Sequence, residues 1–313
     1  MSIAVQTKKL TKYYRSGFWM RRTLALQDLD LSVQAGEVFG FVGPNGAGKT
    51  TTLKILAGLH EPSSGEAFLF SHPVSSLDAK RTLGFLPERP YFYVHLSPRE
   101  LLHFYGQLYD MPKQLRNNRI EELLERMQMR WVGDVPMKKF SKGMLQRIGL
   151  CQTILHDPKL LILDEPMSGL DPLGRALVRD LILDEKEKGK TVFFSSHVLS
   201  DVESICSRVA LLVKGSLRSV GTISSLLKEG TSYSECLIRL SGVFPLDCEF
   251  RKIGEEQYRF QILSDSLDHA VDTIRSKGGS IIEVRPIRQS LEELLVEEVQ
   301  RDRVNPEKMG VWV

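Results

Sequence analysis

The 313-residue chain is long enough for one large domain and one small one, each with its own core. Its 42 basic and 39 acidic side chains leave a formal net charge of +3, so neither a polyanion-binding surface nor a nucleic-acid partner is expected. Cys151, Cys206, Cys236 and Cys248 form no CxxC pair and no ligand spacing, which fits reduced thiols rather than a disulfide or zinc framework.

In chain order, the opening MSIAVQTKKL has no long apolar stretch behind its charges and is not expected to be a signal peptide. No apolar run reaches the roughly 20 residues of a bilayer span, so any membrane role is expected to come through a partner. RSGFWMRR mixes aromatics with cations and reads as a solvated hairpin in preference to a segment meeting lipid headgroups. Residues 26–42 read as strands, first the alternating LQDLDLSV and then the apolar EVFGFVG. KTTTLKILAGL follows as a helix, and EPSSGEAFLF as a turn and short strand. Residues 97–155 look helical, opened by the capping box SPRE with Ser97 as cap, Pro98 at the first helical position and Glu100 closing it. Strands and helices then alternate through KLLILD, a helix over about 172–188, TVFFSS, a helix from about 198 and RVALLV, the pattern of a parallel sheet covered by helices. KEGTSYSE, with Gly230, reads as a hinge. Beyond it come strands CLIRL and YRFQI, the helix SLDHAVDTIRSKG, the strand SIIEVRP, the helix SLEELLVEEVQ and a loose tail.

GPNGAGKT at 43–50 completes the pattern G-x-x-x-x-G-K-[ST] between an expected strand and an expected helix. Glycines 43, 46 and 48 let successive backbone N–H groups turn inward around phosphates, and the helix adds its positive end. Lys49 reaches the β- and γ-phosphates and the Thr50 hydroxyl ligates Mg²⁺. A chance glycine-rich turn is the competing reading. Kinases, GTPases, helicases and transport ATPases all use such a cradle. LLILDEP at 160–166 narrows the choice, because it is an apolar strand ending in two acids at the edge where α/β folds bind ligands. Asp164 can hold magnesium through water and Glu165 can polarise the attacking water.

Between cradle and acidic strand lies FSKGMLQR, residues 140–147. With these three motifs in this order and spacing, residues 3–230 resemble the nucleotide-binding subunit of ATP-binding cassette (ABC) transporters, of an export-type subgroup that works with a separate membrane protein. The resemblance implies an α/β fold: a P-loop NTPase of the ABC ATPase type, with a mixed sheet core and a helical signature subdomain over residues 1–230, and a small C-terminal α/β accessory domain with its tail over 231–313. It implies ATP and Mg²⁺ as cofactors, with Gly43, Pro44, Asn45, Gly46, Ala47, Gly48, Lys49, Thr50 and Thr51 binding ATP and Thr50, Asp164 and Glu88 holding the metal. Glu165 and His197 would be catalytic, His197 by contacting the γ-phosphate.

FSKGMLQR resembles the family signature. Through Ser141, Lys142, Gly143 and Met144 it would close over ATP held by the other subunit of a head-to-tail homodimer, although Ser141 can equally be an ordinary helix cap. Lys142 and Met144 stand where glycine and glutamine are usual, and Glu88, in GFLPERP, where glutamine is usual. Asp171, in SGLD, would couple the two ATP sites, as Glu88 would couple ATP to the membrane partner. Tyr14 matches the aromatic that stacks on adenine, with Tyr13 beside it and a packed core tyrosine as the alternatives. The implied function is an ATPase subunit at the inner face of the cell membrane, cytoplasmic and peripheral, powering an integral membrane permease, with export favoured. A soluble ABC ATPase acting on ribosomes or DNA is the alternative.

Overall fold

The computed structural model describes residues 2–16, 21–228, 233–287 and 290–304. The chain divides into two compact units, Met1–Thr222 and Ile223–Val313. The division falls before α8 (Ile223–Lys228), eight residues ahead of the position suggested by the KEGTSYSE hinge, because α8 packs on α10 (Leu291–Val304) of the second unit. Residues 229–232, which include Gly230 of that hinge, lie outside the described residues, as does the tail from 305.

In the first unit, β1 (Ile3–Ser16) and β2 (Arg21–Gln34) pair antiparallel over their length, with Ser16 opposite Arg21. The tip of RSGFWMRR, residues 17–20, lies outside the described residues. β3 (Val38–Val42) and α1 (Lys49–Leu56) flank the glycine-rich loop, and β4 (Ser64–Leu69), β5 (His72–Pro73), the short α2 (Leu77–Arg81) and β6 (Leu83–Leu86) follow. β2, β1, β4 and β5 form one antiparallel sheet.

The helical stretch holds α3 (Pro98–Leu108), α4 (Lys113–Arg126) and α5 (Lys142–Ile154), joined by 3-10 turns at Arg130–Val132 and Met137–Lys139. The capping box at Ser97 and Glu100 is formed in both directions. β7 (Leu160–Asp164), α6 (Pro172–Glu187), β8 (Thr191–Ser196), α7 (Leu199–Ile205), β9 (Arg208–Val213) and β10 (Ser216–Thr222) complete the unit. The second sheet runs β10-β9-β3-β8-β7-β6. Its five inner-order strands are parallel and β10 closes the edge antiparallel, which makes it a mixed sheet.

The expected apolar strands are buried along their whole length, as a sheet covered on both faces requires. α1 sits between the two sheets. Leu53, Ile55 and Leu56 of the helix meet Val5, Leu29 and Leu31 of the first sheet and Phe39, Phe41, Ile162 and Phe193 of the second in one apolar cluster. The Phe193 ring lies 5.5 Å from Phe39 and 5.4 Å from Phe41. This packing fixes the helix that carries Lys49 and Thr50.

In the second unit β11 (Tyr233–Arg239), β12 (Phe250–Lys252), β13 (Gln257–Leu263) and β14 (Ser280–Ile287) form a sheet in the order β12-β13-β11-β14, with α9 (Leu267–Ser276) between β13 and β14 in sequence. Every neighbouring pair is antiparallel, so this unit is an antiparallel sheet with helices and not a second parallel α/β layer. β13 and β14 are parallel to each other only across the intervening β11. Cys236, Ile238, Tyr258, Phe260 and Ile274 form its core.

Candidate functional site

The carboxyl ends of β3, β8 and β7 lie side by side in the parallel sheet. Each delivers part of one polar cluster: the 43–50 loop from β3, His197 from β8, and Asp164 and Glu165 from β7.

The loop needs its glycines. A Cβ at Gly43 would lie 2.2 Å from the Leu212 carbonyl oxygen, and one at Gly48 2.5 Å from that of Ala25, while Gly46 and Gly48 have φ of 79° and 106°. The loop closes on itself through Ala47 N–H to the Pro44 carbonyl, 3.1 Å. Gly48 is the N-cap of α1 and brings no side chain to satisfy the first-turn N–H groups, which leaves them for an anion. Lys49 Nζ donates to the Gly43 carbonyl at 2.6 Å and the Pro44 carbonyl at 3.2 Å, and lies 3.9 Å from Glu165 Oε1. Burial pushes its ammonium below the ordinary lysine range, against the raising effect of Glu165, Asp164 and Glu88.

Asp164 is buried at the last position of β7. Its Oδ1 accepts from Ser195 Oγ at 2.7 Å and Thr50 Oγ1 at 3.2 Å. Burial raises its carboxyl above the usual carboxylate range, and those two hydrogen bonds partly offset the effect. Asp164 Oδ2 is buried with no hydrogen-bond partner among the described residues. A buried carboxylate oxygen with spare lone pairs next to the Thr50 hydroxyl is a donor set suited to a hard divalent cation. Glu88, just past β6, is half-buried and near enough to influence both Lys49 and Asp164 electrostatically.

Glu165 takes a left-handed backbone conformation, φ 52°, rare for a residue with a side chain. That turn aims its carboxylate across the strand ends, where Oε2 meets His197 Nδ1 at 2.7 Å and the His197 N–H at 3.4 Å. Two residues not singled out from the sequence hold this corner. Ser195 Oγ accepts the Glu165 N–H at 3.0 Å, and Gln146 Nε2 donates to the Pro166 carbonyl at 3.1 Å. Gln146 stands inside the quoted FSKGMLQR and Ser195 two residues before His197, but nothing local to either reveals a contact 20 or 30 residues away.

FSKGMLQR forms the start of α5. Ser141 is its N-cap and accepts the Met144 N–H at 3.2 Å, so the capping half of the dual reading is present. Ser141 and Lys142 are exposed, and Lys142 Nζ donates to Ser168 Oγ at 3.2 Å. Gly143 lies against Leu170, where an added Cβ would come within 3.2 Å of the leucine side chain. Asp171 caps α6 by accepting the Gly174 N–H at 2.8 Å and lies 3.6 Å from Arg147 Nη2. The 142–147 stretch thus packs on the 165–171 loop of its own chain. Tyr14 is half-buried, and its hydroxyl pairs with His60 Nδ1 at 2.9 Å and reaches Thr51 Oγ1 at 3.5 Å, which ties β1 to the first turn of α1 and to the segment that follows the helix. Thr51 and Tyr13 are half-buried, and Pro44 and Asn45 lie at the open side of the loop.

A polar cluster with an anion-receiving loop, one lysine, two carboxylates and a histidine can hold a polyphosphate and activate water beside it. Comparison with known proteins agrees. The family model described as ABC transporter matches residues 26–168. An ABC transporter ATP-binding protein of Nostoc is 40% identical, over 95% of this chain and 90% of its own length. The bacitracin transport ATP-binding protein BcrA of Bacillus licheniformis is 37% identical over 75% of each chain. The solved structure of an ATP-binding subunit of an ABC transporter superposes with TM-score 0.65 at 28% identity, over 72% of this chain and 92% of that one.

Proposed function

The chain belongs to the ABC transporter ATP-binding proteins, and from that premise we propose that it powers an exporter as a homodimer docked on a separate integral membrane permease. It is an ATP hydrolase of the ABC family. The export direction is supported by resemblance to the export-type subgroup, and the part in transport by relatives such as one named for bacitracin transport. No helix among the described residues is long and apolar enough to cross a membrane, and the proposal assigns the passage to the permease and this chain to the cytoplasmic face of the cell membrane.

One observation carries the enzymatic part: Lys49, Thr50, Asp164, Glu165 and His197 meet in one chain of contacts, Thr50 on Asp164 at 3.2 Å, Lys49 by Glu165 at 3.9 Å, and Glu165 on His197 at 2.7 Å. In the proposed reaction the 43–51 loop and Lys49 hold the triphosphate. Thr50, Asp164 and Glu88 would hold Mg²⁺, which when bound neutralises charge between the β- and γ-phosphates. Glu165 orients the attacking water and accepts its proton. His197 holds the Glu165 carboxylate and contacts the γ-phosphate. Tyr14 meets the adenine. Ser141, Lys142, Gly143 and Met144 of the second subunit close over the γ-phosphate with the free end of α5, and Asp171 links the two sites.

Glu165→Gln tests the assignment. The amide keeps the shape but loses the charge and the proton acceptor, while the loop, Thr50 and Asp164 stay intact. With Mg-ATP, the variant is expected to accumulate as a closed dimer in light scattering while phosphate release stops. Near-normal turnover would move the catalytic role away from Glu165.

A further inference from the structure

We propose that Ser195 is a positioning residue of the ATPase site, whose single hydroxyl sets the directions of both acids at the end of β7. The inference rests on the catalytic assignment of Glu165 made above. Asp164 and Ser195 are register partners in the parallel β7–β8 ladder, and it is the last pair of that ladder. Register partners project to the same side of a sheet, so the Ser195 hydroxyl stands beside the Asp164 carboxylate. One residue further, the chain leaves the strand through the left-handed Glu165, and the Glu165 N–H can no longer continue the ladder. Ser195 Oγ takes over as its acceptor at 3.0 Å while giving its own proton to Asp164 Oδ1 at 2.7 Å.

Three consequences follow from this geometry. Asp164 Oδ1 is engaged and Oδ2 is left as the oxygen without a partner. The strained turn at Glu165 is held by a bond on its own amide, which keeps the carboxylate within reach of His197. Ser195 is fully buried, so water does not replace the lost hydroxyl without rearrangement. The residue touches neither acid's reacting oxygen and acts by orientation alone. Ala or Val at this position would leave the Glu165 N–H without its acceptor and Asp164 Oδ1 with Thr50 as its one remaining donor among the described residues.

The test uses the full chain with three substitutions: Ser195→Ala, Ser195→Thr and Glu165→Gln, alone and with Ser195→Ala added to Glu165→Gln. Single-turnover phosphate release should fall on the order of 100-fold in Ser195→Ala, the scale of a modest misplacement of a catalytic group. Binding of a fluorescent ATP analogue in EDTA should stay within about threefold of wild type, because the cradle is untouched. Ser195→Thr restores the hydroxyl and should recover most of the rate. Adding Ser195→Ala to Glu165→Gln should slow the residual release by a clearly smaller factor than in wild type, since the part that acts through the Glu165 carboxylate is already removed and only the part through Asp164 remains. Three results would overturn the proposal: wild-type release in Ser195→Ala, no recovery in a Ser195→Thr protein with unchanged melting temperature, or an equal slowing by Ser195→Ala in both backgrounds. Near-normal release in Glu165→Gln alone would instead overturn the catalytic assignment on which the proposal stands.

Discussion

Lys49 is the cation of the proposed phosphate loop, and its surroundings explain why a positive charge sits in a place that burial disfavours. Its ammonium is held by two loop carbonyls and faces Glu165, Asp164 and Glu88. Lys49→Ala removes that charge from any bound triphosphate. Charge-assisted hydrogen bonds are worth about 1.5–3 kcal/mol each, so ATP affinity should fall by about 10- to 150-fold per lost contact. Isothermal titration against ATP checks this, and unchanged affinity would remove the lysine from the site. At this scale the candidate site was legible wherever its residues are contiguous. Residues 43–51 are consecutive, and a turn that needs three glycines shows itself in the chain. Asp164 and Glu165 were legible because two acids end an apolar strand. Ser195 and Gln146 were not, because their partners are set by strand register and helix packing, which a single sequence does not spell out.

Among the elements, α4 and α6 are joined by a buried ion cluster. Glu185, with no exposed side-chain surface, accepts from Lys190 Nζ at 2.6 Å, Lys188 Nζ at 2.9 Å and Arg126 Nη1 at 2.9 Å, while Arg126 also pairs with Asp184. Burial alone would push the Glu185 carboxyl up, but the three cationic donors outweigh it and hold it down to about 2. A depressed folded-state value means that its contribution to stability is fully present above the ordinary glutamate value of 4.5 and is lost as pH falls towards 2. Glu185→Gln leaves Lys190 with Asp157 and Arg126 with Asp184 as their remaining carboxylate partners among the described residues, and by weakening charged hydrogen bonds it should cost about 1.5–3 kcal/mol in urea unfolding at neutral pH. It should also flatten the acid limb of the stability curve between those two pH values. Unfolding curves that match wild type at both pH values would show that the cluster does not bear on stability.

The elements themselves were mostly readable. β3, β7 and β8 are apolar runs, and α3 carries its start signal in SPRE. β6 escaped notice because it is only four residues long, and β10 because SLRSVGT has too few apolar positions to show a period. The second unit reads from the sequence as a small α/β domain with no strand order assigned, because alternation along the chain does not reveal that β11 lies between β13 and β14.

At the scale of the whole molecule, the exposed start of α5 is the feature that a single chain does not explain. Ser141 and Lys142 contact their own helix and Ser168, and among the described residues neither is hydrogen-bonded to the 43–51 loop. In the proposed homodimer this end faces the ATP of the other subunit, so each site is built from two chains. The most direct measurement mixes Lys49→Ala with Ser141→Arg subunits, each inactive alone. A mixed dimer holds one site with both defects and one with neither. With random pairing of equal amounts, half the dimers are mixed and each has one intact site of two, so the mixture should recover up to about a quarter of wild-type ATPase activity. No recovery in a mixture whose mixed dimers are demonstrated by subunit-specific tags would contradict the shared-site account.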